Sequence, residues 1–556
     1  MFLPVRMRFY LVVILTLVGM TIIHHFWPHV LWFLIILLPL IALGFYDIFQ
    51  TKSNILRNYP IWGHIRYIFL SFRPQIQQYF IINDQDDRPF NKEMRDLVAT
   101  RADRANDTLA FGTQLDMDKS GYEWMAHSLR PCKAKAEGAR VVVGNAQCAH
   151  PYYASRINIS ALSFGALSQN AIRALNRGAK IGGFAHNTGE GGLSRYHLME
   201  GGDIIWQIGT GYFGCRNNDG TFSEKNFVER ATNPNVKMIE IKLSQGAKPG
   251  HGGILPGVKV SEEIAKARGV PVGESCNSPP AHSAFSTPKG LIQFVQHLRD
   301  LSGGKPVGFK LCMGVRSDFL SICKAMIELS IYPDFITVDG AEGGTGAAPV
   351  EFADHVGTPL NDALIFIHNS LVGTGLRRHI KLIASGKIIS GFDVLTKIAL
   401  GADICNMARG MMFALGCVQA RQCNSNKCPT GITTQDPRRM YALSVDDKAP
   451  KVANFHKETI DSFLEVLGAA GLEYPEYLTP GHIHRRVGST TENTYDDLYP
   501  YLAENAIILE AAPKEYQMAW ASATAEKFAG VRNSEQSMMA NHVFKREVDS
   551  RTLAKI

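Results

Sequence analysis

The chain has 556 residues, 46% of them hydrophobic and 20% charged, with a formal charge of +7. That apolar share suffices for a large buried core and excludes a disordered chain. The basic residues are dispersed instead of forming runs, which argues against a nucleic-acid binder, and the small positive excess suits a surface near anionic lipid headgroups.

Two apolar runs open the sequence. Phe9 to His24 reads "FYLVVILTLVGMTIIH" and Val30 to Phe49 reads "VLWFLIILLPLIALGFYDIF", in which Asp47 is the one charge. At ~1.5 Å per residue, the second run covers the ~30 Å hydrocarbon core of a bilayer. The first is completed by "HHFWPH", whose Pro28 suits a tight turn. Arg6 and Arg8 precede the pair, Lys52, Arg57 and Arg66 follow it, and the turn holds no Lys or Arg. The positive-inside bias therefore predicts a transmembrane hairpin over residues 1–50 in the cytoplasmic membrane, with the catalytic body facing the cytoplasm. A cleaved signal peptide is the competing reading; the second apolar run and the lack of a small-x-small site argue against it.

Residues 51–150 mix short helical patterns with polar turns such as "NDQDDRPFNKE" and read as an adaptor. From 151 to 440, short β-rich runs end in Gly-, Ser- or Asp-rich loops and alternate with helical stretches: "RINISALSFGALS", "KMIEIKLSQGAKPG", "PVGFKLCMG", "DFITVDGAEGGTG", "IKLIASGKIISG" and "ADICNMARG". This pattern predicts an α/β fold, a (β/α)8 TIM barrel first and a doubly wound sheet second. Residues 441–556 are expected to form a helical extension to about Glu515 and then a polar tail.

Chemistry in a barrel sits at the C-terminal ends of the strands. "VDGAEGGTGA" (338–347) and "ASGKIISGFDVLTKIALGAD" (384–403) supply glycine loops after late strands, and the second leads from Ser390 and Gly391 into a helix. A phosphorylated cofactor is commonly held there, although plain tight turns use glycine in the same way. A G-x-G-x-x-G at Gly209, Gly211 and Gly214 is followed by Cys215 to Gly220, a turn and not a helix, so it is no dinucleotide fingerprint. Electrons for redox chemistry are then expected from another protein or from the membrane. "GCVQARQCNSNKCPTG" sets Cys417, Cys423 and Cys428 at C-x5-C-x4-C with no fourth Cys or His nearby. A structural zinc normally takes four ligands, and in a reducing compartment three thiols point to metal sooner than to a disulfide. Cys405 falls on a predicted core strand.

These segments, with "NTGEGG" (187–192) and "IKLSQGAKPGHGGILPGVKV" (241–260), resemble in order the FMN-binding central domain of glutamate synthase, from Ser155 to Pro437. Together with the hairpin, the chain looks like a stand-alone, membrane-attached member of that family. The resemblance implies FMN held by Ser163, Gln207, Lys242, Lys310, Gly343, Gly344, Gly346, Gly386 and Gly391. It implies a [3Fe–4S] cluster on Cys417, Cys423 and Cys428, three irons taking three thiolates. Glu190, Lys242 and Lys248 would be catalytic, and Lys248, Arg268 and Ser278 would bind the carboxylates of a 2-oxo or imino acid. The implied reaction reduces the imino acid formed from 2-oxoglutarate and ammonia, with ferredoxin, quinol or a reductase subunit as donor.

The departures bear on the substrate. His251 and Ile254 stand where the family has a glutamate and a glutamine, and "PPAHSAF" puts Ala281, His282 and Ser283 where it has two histidines and an aspartate. Ile254 cannot hydrogen-bond a carboxylate. A different 2-oxo acid stays open, as does a membrane-associated electron-transfer protein without glutamate synthase activity. The glutaminase and β-helical domains of the full enzyme have no counterpart in this sequence, so ammonia is expected free or from a partner.

Overall fold

A computed structural model describes residues 5–528; the tail expected after about Glu515 starts instead as a helix, Lys514–Ser522, and its part from residue 529 on lies outside the described residues. The chain divides into two compact units, Met1–Glu93 and the residues from Met94 on, so the adaptor stretch is shared between them.

In the first unit a helix Val5–Phe26 is joined by a 3-10 turn, Pro28–Phe33, to a helix Leu34–Phe49. Pro28 opens the turn, where its fixed φ and missing N–H do no harm. Met7–Phe26 and Pro28–Phe49, 20 and 22 residues, are long and apolar enough to cross a membrane. Asp47, the one charge of the second run, is buried; it accepts from the Ile61 backbone N–H at 2.9 Å and lies 2.9 Å from His64 Nε2.

The second unit is built on eight parallel strands: β1 (Ile157–Ile159), β2 (Ala185–Asn187), β3 (Asp203–Ile208), β4 (Val236–Lys242), β5 (Val307–Leu311), β6 (Phe335–Asp339), β7 (Lys381–Ser385) and β8 (Ile404–Met407). They close into a barrel, β8 pairing β1 with Met407 opposite Ile159. The strands are almost wholly buried on both faces, which is why they read as apolar runs and not as alternation. A β-hairpin, Arg140–Val143 with Tyr152–Ser155, stoppers one end. Its Val143 and Ala154 pack on Ala185, Ile205, Met238, Phe335, Ile383 and Ile404, residues near the starts of their strands. With the N-terminal mouth filled, the C-terminal mouth is left for chemistry.

A 25-residue helix, Val445–Ala469, lies against the helices Gln169–Gly182 and Gly391–Ala399. Beyond it the extension holds more than helix. Ile483–Arg486 pairs antiparallel with both Glu492–Thr494 and Glu123–Met125, and Trp124 stacks on His484 at 5.3 Å. Helix returns at Lys514–Ser522.

Candidate active site

The loops that leave the strands converge on Glu190. This residue follows β2 in Gly189-Glu190-Gly191-Gly192, a loop that needs glycine at Gly189 and Gly192, where φ is +63° and +87°. Lys242, the last residue of β4, reaches Glu190 Oε1 at 2.9 Å and donates to Gln245 Oε1 at 2.6 Å. Burial alone would raise the Glu190 pKa; Lys242, then Lys248 and Arg268, outweigh it and hold the carboxyl below the usual range. Glu190 is therefore ionised at neutral pH.

Lys248 comes from the loop after β4. It is 2% exposed and donates to the Ala347 carbonyl at 2.9 Å. Burial pushes its pKa down to about 8, against the opposing pull of Glu190. Arg268 ends the helix Glu262–Arg268 and is also buried. One guanidinium nitrogen donates to the Phe164 carbonyl at 3.3 Å, the group lies 5.0 Å over the Phe213 ring, and Nε has no hydrogen-bond partner among the described residues. Ser163 abuts the Glu190 loop: a Cβ on Gly191 would stand 2.9 Å from its Cβ. Ser278 leaves a short ribbon, Ile254–Leu255 with Cys276–Asn277, and its N–H donates to the Gly253 carbonyl at 2.9 Å, beside the Glu190 carboxylate.

One layer deeper is Glu240, which sequence reasoning missed. It accepts from Asn187 Nδ2 at 2.8 Å, Gln207 Nε2 at 2.7 Å and Thr337 Oγ1 at 2.5 Å. Its signal was there in "KMIEIK": Glu240 and Lys242 share one face of the strand by the period of two. Lys310 on β5 stands opposite Lys242 in register and lies 3.2 Å from Asp339 Oδ2. Burial works to lower the Lys310 pKa, but Asp339 and Glu240 outweigh it and raise the value. Asp339 Oδ2 also accepts from the Gly246 N–H at 2.8 Å, tying the loop after β4 to the end of β6.

The predicted glycines divide. Gly343, Gly344 and Gly346 follow β6 and Gly386 follows β7. Gly344 backs onto Arg409, 2.9 Å from Nε for an added Cβ, while an added Cβ on Gly346 would meet nothing within 4 Å. Gly391 begins the helix after β7, where an added Cβ would stand 2.6 Å from the Phe463 backbone N. Its smallness thus serves the approach of Val445–Ala469. At that helix start, Asp393 Oδ2 takes the N–H groups of Ile389 at 2.9 Å and Ser390 at 2.8 Å; those of Gly391 and Phe392 have no acceptor among the described residues. Arg409, just past β8 in "NMARG", donates to the Glu342 carbonyl at 2.6 Å. It was not singled out from sequence; the signal was a basic residue two positions beyond the last strand.

The substituted positions have settled into other bonds. His251 Nδ1 lies 2.9 Å from the Gly252 carbonyl and its ring meets Phe352 edge-on. Ile254 is in the ribbon, and Ala281 and Ser283 are exposed. His282 is buried, with Nε2 2.9 Å from the Lys242 carbonyl and Nδ1 3.1 Å from the Tyr212 hydroxyl. Burial pushes its pKa down to about 4. It is neutral, and since a carbonyl only accepts, Nε2 carries the proton. The Gly209–Gly214 segment folds as turns, with Tyr212 at φ +48° and its carbonyl accepting from Cys215.

The three cysteines occupy a tightly bent loop. Gln419, Arg421 and Asn426 take left-handed φ of +55°, +54° and +62°, a strain that clusters at functional segments. Burial pushes the Cys417 thiol up to about 11. For Cys428 burial also acts upward, but hydrogen bonds from Thr430, Thr433 and the backbone outweigh it and lower the value to about 7. Buried Lys259, donating to the Ala166 carbonyl at 2.8 Å, is close enough to feel Cys423 and Cys428. The loop docks on the segment after β1 through Gln435, which donates to the carbonyls of Gly165 and Leu167. Arg268 grips the same segment, so one stretch of chain separates thiols from pocket. Among the described residues no three Cys, His, Asp or Glu side chains are arranged to hold a single metal ion. Cys323 and Cys405 are fully buried in the core.

The family model for the conserved region in glutamate synthase matches residues 106–473. The glutamate synthase large subunit-like protein YerD of Bacillus subtilis is 37% identical over 474 residues, 78% of this chain and 90% of that protein. An archaeal glutamate synthase [NADPH] of Methanocaldococcus jannaschii is 37% identical over 323 residues, 58% of this chain and 60% of that protein. The chain belongs to the glutamate synthase family of oxidoreductases.

Proposed function

We propose that the chain is a glutamate synthase-like reductase that converts the imino acid formed from a 2-oxo acid and ammonia into an amino acid, 2-oxoglutarate and glutamate being the first pair to test. One observation carries the reading. Lys242, Lys248 and Arg268 surround the single carboxylate of Glu190, and the Arg268 Nε lacks a partner among the described residues. Unmatched buried cations are unfavourable, and a dicarboxylate would neutralise the surplus through charge-assisted hydrogen bonds. Lys242 holds Glu190 through Oε1, which leaves Oε2 to accept a proton or a hydrogen bond from the reacting nitrogen. Lys248 and Arg268 would bind and orient the acid, with Ser278 beside them.

FMN, when bound, supplies hydride-transfer chemistry. The residues present fit it: the N–H groups of Gly391 and Phe392, without an acceptor among the described residues, the glycine loop at Gly343 and Gly344, and Arg409 would hold a phosphate where barrels commonly do. Ser163, Gln207, Lys242 and Lys310 would line the ring. The cysteine loop fits a [3Fe–4S] cluster by its donors: three thiols, one already lowered toward thiolate, with Lys259 beside them. Such a cluster gives each iron its own thiolate, so the three sulfurs need not meet at one point as they must for a single ion. Electrons would come from ferredoxin, a quinol or a reductase subunit, and the hairpin would hold the catalytic unit on the cytoplasmic face of the membrane.

A second reading, an electron-transfer protein without amino-acid chemistry, is favoured by Ile254, which offers the acid no hydrogen bond where the resemblance puts a glutamine. Purified full-length protein, assayed for FMN, iron and sulfide and then supplied with a chemical reductant, ammonium and a panel of 2-oxo acids, separates the two. Amino-acid formation is expected. Full flavin and iron content with no amino acid from any 2-oxo acid would leave the electron-transfer reading.

A further inference from the structure

We propose that the helix Trp62–Ile76 and its continuation Gln77–Ile81 lie flat in the surface of an anionic bilayer, as a membrane element distinct from the hairpin that precedes them. The proposal rests on the reading of the hairpin as membrane-spanning. The 15-residue helix is only ~22 Å long at ~1.5 Å per residue, short of the ~30 Å apolar core, and Arg66, Arg73 and Pro74 interrupt it. It does not qualify as a span, yet most of its side chains, every one from Ile65 to Ile76, are exposed.

With 3.6 residues per turn, Ile68, Phe72, Ile65, Ile76, Phe69 and Trp62 fall within one arc of about 120°. All six are at least 41% exposed, in the range of the hairpin's own Leu17 at 40% and Phe26 at 81%. Tyr79, Phe80 and Ile81 extend the bare surface at 63%, 86% and 63%. At the start of the helix the opposite side is occupied: His64 lies 2.9 Å from Asp47, the Tyr67 and Ser53 hydroxyls lie 2.7 Å apart, and Gly63 packs on Leu56, while Leu70 further along that side is 45% exposed. The polar face thus fastens the helix to the end of the second apolar run, and the apolar arc continues the surface of a membrane element.

Charge selects the occupant. Between Ile48 and Asn83 there is no Asp or Glu, while Lys52, Arg57, Arg66 and Arg73 are all basic. Arg66 and Arg73, seven residues apart, border the apolar arc on one side. An apolar stripe edged by cations and free of anions is what an amphipathic helix presents to anionic headgroups. A second copy of the same chain would bring the same four cations against it.

The test uses the full chain reconstituted in phosphatidylcholine–phosphatidylglycerol vesicles, treated in parallel with a lipid-soluble carbene photolabel and with hydroxyl radicals, and mapped by mass spectrometry. Photolabel is expected on Met7–Phe49 and on Trp62–Ile81, with both segments protected from radicals. Phe69→Glu with Phe72→Glu should cut labelling of 62–81 at least tenfold and leave hairpin labelling unchanged. Label on the hairpin with radical oxidation of 62–81 would overturn the proposal and keep the spanning reading; an unlabelled hairpin would overturn both. Protection of 62–81 from both reagents would mean a protein cover and also overturn it. Vesicles of phosphatidylcholine alone should label 62–81 severalfold less, and equal labelling would remove the anionic lipid from the proposal.

Discussion

Two layers at the barrel mouth contain the same kinds of groups at similar burial and end in opposite electrostatic states. Around Glu240, the ammonium of Lys310 faces Asp339 and Glu240, and three neutral side chains fill the remaining acceptor sites of Glu240. Around Glu190, three cations share one carboxylate, and Lys248 is pushed down to about 8 where Lys310 is raised. Burial pushes both lysines down; the partners set the sign of the result. A layer whose charges are matched from within the chain holds its groups in fixed positions, Gln207 and Lys310 among them, whereas surplus buried charge is the mark of a candidate anion site.

The largest expected effect breaks the matched layer. Asp339→Asn removes the carboxylate that holds Lys310 and accepts from Gly246. Loss of one member of a buried ion pair is expected to reduce stability on the order of 3–5 kcal/mol, read by urea denaturation. A change below ~1 kcal/mol would mean that the layer is not balanced as described. Lys248→Ala acts on the other layer. It should weaken 2-oxo acid binding about ten- to a hundredfold, from a charge-assisted contact of ~1.5–3 kcal/mol, with stability kept within ~1 kcal/mol. If the two variants exchanged these phenotypes, the contrast between the layers would be wrong.

The pH dependence sharpens the same contrast. Lys248 is charged below about 8 and neutral above it, so dicarboxylate affinity should be full at neutral pH and fall as pH rises through that value. A bound anion favours the charged form and moves the fall to higher pH in the complex. Lys248→Arg, whose guanidinium stays protonated, should flatten the profile. Titrations of the two proteins from neutral to alkaline pH with parallel curves would assign the dependence to another group. The smallest effect concerns Ile254→Gln. A neutral hydrogen bond is worth ~0.5–1.5 kcal/mol, so 2-oxoglutarate should bind about two- to tenfold tighter. Equal affinity would place the distal carboxylate elsewhere.

Gly391 marks the limit of motif reading. Its place in a glycine loop before a helix suggests room for a phosphate, and the two N–H groups at that helix start without an acceptor among the described residues agree with one. Yet the side chain is excluded by a helix that begins at Val445, more than fifty residues downstream, so a bulky substitution acts first on packing. Gly346 stands in the same motif in open space.

By itself the sequence determined whatever depends on near neighbours. The two apolar runs are set by composition over about twenty residues, six of the eight barrel strands by short apolar stretches leading into Gly-, Ser- or Asp-rich loops, and the thiol set by spacing within a dozen residues; Ala185–Asn187 and Asp203–Ile208 were not read as strands. Only the tertiary structure decided the rest: that Glu240 collects donors from three other positions, that Arg409 meets the glycine loop after β6, and that residues 483–494 become strands. The first of them, Ile483–Arg486, pairs with Glu123–Met125, about 360 residues away in the chain. The bare arc on Trp62–Ile76 belongs here too, because its polar face is defined by Asp47 and Ser53. A hydrogen bond or a buried charge is stabilised by whatever group the fold brings to it, and local sequence does not carry the identity of a distant partner.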